Sequence, residues 1–227
     1  MINLKSFQTA FFSKSINLDN KLEFTSKLIS ASQGIFDGEP MILPIPSEVP
    51  SEVPRIIIKS KDKKYACNVS LNRIDLLFNP QEEDEKNIEI VKDQYYRLLL
   101  DLSKLLSSIQ RIGMIANLSL KLTENSNTYI LRKYIKKDCH ISETDKLQIH
   151  ALHKVNLPNN IKMNRWLRIM TTQSSSQPDN DKYLSITIDV NSVAEITYEF
   201  DERLLQSTFM DSLENMKNLI EEHFRKG

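Results

Sequence analysis

Glycine is scarce in this chain: four residues in 227, where soluble domains use roughly 7%. That excludes Gly-rich phosphate loops, propeller blades and collagen-like arrays. Cysteine is scarcer still. Cys67 and Cys139 cannot build a disulfide framework, so reduced thiols and a cytoplasmic setting are expected. The sequons at Asn68 and Asn117 are silent in that setting. No apolar run approaches the length of a membrane span. The opening MINLKSFQTAFF has no small-residue cleavage site, so no secretory leader is expected. An excess of charge is missing too: 30 basic residues meet 30 acidic ones, whereas a protein built mainly to coat nucleic acid is normally basic. Nucleophile elbows, Walker loops, H-E-x-x-H and G-x-G-x-x-G motifs are all absent.

What remains is an ordinary globular composition, 40% apolar and 26% charged, at a length that buries a sizeable core. Residues 4–12 read as a strand. Asp19 or Asn20 caps a helix whose face carries Phe24, Leu28, Ala31 and Ile35. Five of the eight prolines fall in 40–54, PMILPIPSEVPSEVP, where Ser-Glu-Val-Pro occurs twice. Proline dictates an extended path there. Met41, Leu43, Ile45, Val49 and Val53, with Ile42, are too apolar for a free linker. The segment is expected to dock as an arm, on its own sheet edge or across a partner subunit. RIIIK, YACNVSL and RIDLLF then form an antiparallel meander, and alternation turns Cys67 inward.

Residues 82–112 carry an unbroken three-and-four spacing from Ile88 through Leu98, Leu102 and Leu105 to Ile112. Acids stand at 82–85 and Gly113 follows in the place of a C-cap. The spacing predicts one continuous helix over 86–111. Beyond it come a strand at 114–122, a short amphipathic helix at 128–137, strands at 147–155, 165–171 and 183–190, and a final helix from Asp201 to about Arg225. The order strand, helix, three strands, helix thus occurs twice, in 1–112 and 113–227. The expected fold is α+β: one extended antiparallel sheet from two similar β-α-β-β-β-α halves, with the long helices on one face.

Candidate chemistry is thin. His150 and His153 sit three apart on a strand, which sends them to opposite faces, and Cys139-His140 are adjacent, a poor chelating geometry. Asp75 and Asp189 stand near strand ends, with nothing in the sequence to bring them together. No catalytic residue, metal site or cofactor is assigned, and an enzyme is not expected. Charge is uneven along the chain, with an excess of basic residues between Lys121 and Gln173. Arg132, Lys133, Lys136, Lys137, Arg165 and Arg168 form a candidate basic patch for phosphate or an acidic surface. The plainer reading is that this segment complements the acidic C-terminal helix.

The segment FDGEPMILPIPSEVPSEVPRIIIKSKDKKYACNVSLNRIDLLF, with IDVNSV at 188–193 and the late NMKNLIEEHF, resembles a sporadically distributed family of uncharacterised prokaryotic proteins of this length. The likeness covers scattered patches over half the chain and implies a single α+β unit without an assigned activity. The two-half arrangement also looks like the duplicated saddle of TATA-binding proteins, in topology alone. The function expected first is a non-catalytic protein-binding or assembly module, a homo-oligomer with the dimer as its simplest form. Nucleic-acid binding through 121–170 and an enzyme with an unrecognised site are the alternatives.

Overall fold

A computed structural model describes residues 2–46, 48–135, 146–171 and 182–225. Among these residues nine strands form one antiparallel sheet, and four helices cover one of its faces. Along the chain these are β1 (Ile2–Phe12), α1 (Lys21–Ala31), β2 (Met41–Ile42), β3 (Ile56–Lys59), β4 (Tyr65–Val69), β5 (Arg73–Phe78), α2 (Gln94–Ser103), β6 (Arg111–Lys121), α3 (Ser126–Tyr134), β7 (Gln148–Asn156), β8 (Lys162–Thr171), β9 (Tyr183–Ser192) and α4 (Glu202–Ile220). The strands lie in the order β2-β3-β4-β5-β1-β6-β9-β8-β7. Outward from the central β1–β6 pair, one wing reads β5-β4-β3 and the other β9-β8-β7. The second wing therefore repeats the connectivity of the first, and β2 is an addition at one edge.

Alternation builds the core. Cys67 stands level with Ile58 and Leu76, and Phe7 level with Phe78 and Ala116. All six are fully or almost fully buried beneath the helices. Phe7 packs edge-on against Tyr95 of α2, with centroids 5.3 Å apart, and meets Phe209 of α4 at 6.3 Å. Such ring pairs add about 0.5–1.5 kcal/mol each beyond their burial. The Tyr95 hydroxyl donates to the Leu76 carbonyl at 3.0 Å and lies 2.8 Å from Thr9 Oγ1, so its polar end is satisfied inside the core. Asn20, Asn125 and Asp201 cap α1, α3 and α4 with their side-chain oxygens.

The continuous helix over 86–111 is not what forms. A 3-10 turn spans Ile88–Lys92, Asp93 breaks the path at ψ −110°, and α2 ends at Ser103. The long helices of the expected face are therefore one of 19 residues, α4, and one of ten. The spacing that suggested continuity is shared among elements. Ile112 also alternates with Met114, Ala116, Leu118 and Leu120, and the sheet claims it, opposite Phe11. Gly113 is a strand residue, where a Cβ would stand 3.4 Å from that of Asn191. The Gln110 N–H donates to the Phe12 carbonyl at 2.8 Å, so strand pairing begins before β6 itself.

The proline arm lies along its own sheet edge, and its path is not extended throughout. Met41–Ile42 pairs with β3, but the arm then turns back twice: Val49 N–H donates to the Pro46 carbonyl and Val53 N–H to that of Pro50. The turns converge their carbonyls on Arg55. Its guanidinium, 1% exposed, donates to Pro46, Val49, Pro50 and Val53. No helix among the described residues is long and apolar enough to cross a membrane.

Candidate functional site

Among the described residues no helix covers the other face of the sheet, and the register says which side chains stand on it. Across the centre run Leu77, Gln8, Ile115, Asp189, Trp166 and Leu152; the next row holds Asp75, Ala10, Gly113, Asn191, Asn164 and Lys154. Extended along each strand, the phase assigns seven basic residues to this face: Lys59, Arg73, Arg111, Lys121, Lys154, Lys162 and Arg168. Two acidic residues share it, Asp75 and Asp189. Both are matched by arginine. Asp75 receives Arg73 Nε at 2.7 Å and Gln8 Nε2 at 2.7 Å, and Asp189 stands 3.6 Å from Arg168 and accepts from Asn191 Nδ2. A chain of zero net charge therefore carries a strongly cationic face.

Three rings stand among those cations. Phe12 lies between the Arg73 and Arg111 guanidinium groups, at 5.0 and 4.9 Å; Arg168 is 5.6 Å from Trp166, and Lys121 Nζ 5.8 Å from Tyr183. These distances suit cation–π attraction. Beside Phe12 a hollow of about 240 Å³ is lined by Gln8, Arg73, Arg111, Asp189 and Asn191. Arg111 reaches the Ser192 carbonyl with one terminal nitrogen, at 3.5 Å, and its Nε has no hydrogen-bond partner among the described residues. The surface between is neutral and polar: Asn117 donates to Ser6 and accepts from Thr187.

The described members of the candidate basic patch do not share one surface. Arg168 belongs to the bare face. Arg165, an odd offset away, faces the helices and donates to Asn215 of α4. Arg132 and Lys133 lie on α3, where Arg132 pairs with Glu124 and Lys133 donates to the His223 carbonyl. Burial holds the His223 imidazole below its ordinary range, and Lys133 and Arg165 reinforce this against the opposite pull of Glu222. Lys136, Lys137, Cys139 and His140 lie outside the described residues. His150 and His153 point to opposite faces of β7. In the arm, Leu43, Ile45, Val49 and Val53 are half-buried, and Met41 is 56% exposed.

A larger cleft, about 670 Å³, opens on the helix side between the start of β1 and the end of α4. Leu118, Leu120, Ile220 and Phe224 give it apolar walls, and Asp84, Glu85 and Glu89 line its rim. Its acids are engaged: Asp84 with Lys64 at 2.6 Å, Glu89 with Lys92 at 2.5 Å and Lys217 at 3.4 Å. Among the described residues no three His, Cys, Asp or Glu side chains gather as a metal site would require.

Sequence reasoning missed the bare face because its cations are scattered from Lys59 to Arg168. The available signal was parity: within each strand they occupy the phase opposite the buried residues. Comparison of the sequence with protein-family models and with curated proteins finds no match.

Proposed function

We propose that this protein binds single-stranded nucleic acid across the helix-free face of its sheet. One observation carries the reading: seven cations against two arginine-matched acids on one face, in a molecule without net charge. A polyanion is the ligand that such a face attracts, through phosphate contacts and counterion release. The rings decide between strand and duplex. Phe12 and Trp166 stand beside cations on this face, a combination suited to stacking unpaired bases while neighbouring charges hold phosphates. A duplex keeps its bases stacked inside and gains nothing from the rings. Seven strand spacings separate Lys59 from Lys154, on the order of 34 Å at about 4.8 Å each. That width accommodates a single strand within the usual site size of roughly 4–16 nucleotides. The reading keeps the cytoplasmic setting and gives the protein a binding role without catalysis.

The protein's one tryptophan supplies the test. Titration with a 12-nucleotide oligothymidylate at low salt should quench Trp166 fluorescence, and a duplex of equal length should bind more weakly. The exposed Lys121 and Lys162 can be reversed without touching the core. The Lys121→Glu/Lys162→Glu chain should bind at least about tenfold more weakly. Its slope of log K against log salt should fall by about 1.4, because each phosphate left without its cation removes about 0.7. An unchanged affinity in that variant, or no fluorescence change in the wild type, would overturn the reading.

A further inference from the structure

The two edges of the sheet are unequal. At one, β2 is two residues long and lies between Pro40 and Pro44, which blunts it against further pairing. At the other, β7 runs nine residues without a proline, and seven of the nine are exposed. Two bonds bracket β7 and set its phase: Thr171 N–H donates to the Leu147 carbonyl, and Leu157 N–H to that of Ile161. Odd-numbered residues therefore spend their backbone groups on β8. The even-numbered ones, Gln148, His150, Leu152, Lys154 and Asn156, turn theirs outward.

We infer that β7 is a dimer edge whose occupant is β7 of a second copy of this chain, antiparallel about a two-fold axis at Leu152. In that register Leu152 meets itself, His150 faces Lys154, and Gln148 faces Asn156. Each pair exchanges two backbone bonds, giving ~ten in all. Charge excludes two of the registers. Centring the pair on Lys154 would set two lysines face to face, and centring it on His150 would set Lys146 against Lys154, both arrangements destabilising. Centring on Leu152 opposes no two lysines and covers a leucine that is 43% exposed. The dimer would join two nine-stranded sheets edge to edge.

Area sets its strength. A standard interface buries roughly 800 Å² per partner over 20–30 residues, so nine residues bury on the order of 300 Å². That falls short of a permanent dimer, while the bond count reaches the usual ten or so. The association is therefore weak and concentration-dependent, with a dissociation constant on the order of 100 µM. It stands independently of what the bare face binds.

Sedimentation velocity from ~10 µM to ~1 mM should show mass rising from monomer toward dimer. Leu152→Pro removes an outward N–H alone, so the β7–β8 ladder survives. This variant should remain monomeric with an almost unchanged unfolding temperature. Ala151→Pro removes an inward N–H and should lower that temperature. Leu152→Lys, which leaves the backbone intact, should likewise stay monomeric by opposing two ammonium groups at the axis. A wild type still monomeric at ~1 mM, or a Leu152→Lys chain that dimerises like the wild type, would overturn the inference.

Discussion

Cys67 has no exposed surface, and burial pushes its thiol well above the ordinary range, with the Asp75 carboxylate adding to the effect. Thiolate chemistry is therefore closed to it in the folded chain. In the unfolded chain the thiol titrates near ~8.5. Below that pH both states keep the proton, and the group's contribution to stability is fully present. Above it the unfolded chain releases the proton while the folded chain holds it, so stability falls as pH rises toward the folded value. Urea midpoints should drop between pH ~7.5 and ~9.5, and less in Cys67→Val. Equal losses in both chains would show that the thiol does not govern this range. The inward placement of Cys67 was legible because alternation in YACNVSL is strict. The role of Arg55 was not. As the first residue after a proline it looked like an ordinary strand start, and its burial depends on four carbonyls that meet only once the arm has turned twice. Leaving such groups unpaired costs about 1–3 kcal/mol each, which explains why a lone buried guanidinium persists there.

At the scale of elements, α2 separates two readings of one apolar stripe. In a continuous helix Leu102 and Leu105 would be equivalent. Here Leu102 is fully buried in the last turn of α2, while Leu105 lies beyond the helix and is half-buried. Leu102→Asp should cost about 3–5 kcal/mol, since it buries an unpaired carboxylate. Leu105→Asp should cost less than about 2 kcal/mol, because its carboxylate can turn to water. Matching losses in urea unfolding would restore the continuous helix. Strands were legible wherever one face is buried, as in β4, β5, β6 and β9, because period two admits no other element. The bounds of α2 were not. Spacings of three and four also arise when a turn, a short helix and a strand follow one another, and Asp93 carries no local signal strong enough to mark the break. The proline arm shows the same limit: proline restricts φ, but the direction of the turns comes from the Arg55 cage.

For the whole molecule, charge is arranged by face, and this was the least legible feature. The basic run read along the chain, from Lys121 to Gln173, divides when the sheet forms. Arg165 joins the helix side and Arg168 the bare side, three residues apart on one strand. Lys59, Arg73 and Arg111 reach the bare side from the other wing and the sheet centre. Pairing two copies through β7 would set their bare faces side by side. A single strand long enough to cross both would bind the second copy at a raised effective concentration. Wild-type protein should therefore gain about tenfold or more in affinity per copy from a 12- to a 36-nucleotide oligothymidylate, with cooperative isotherms on the longer strand. Leu152→Pro, which breaks the edge pairing without adding a cation beside Trp166, should lose that gain. Fluorescence titration of Trp166 on the two lengths separates the two proposals. Failure on the short strand removes the nucleic-acid face. A normal short-strand affinity with no gain on the long one removes the edge pairing and leaves the face standing.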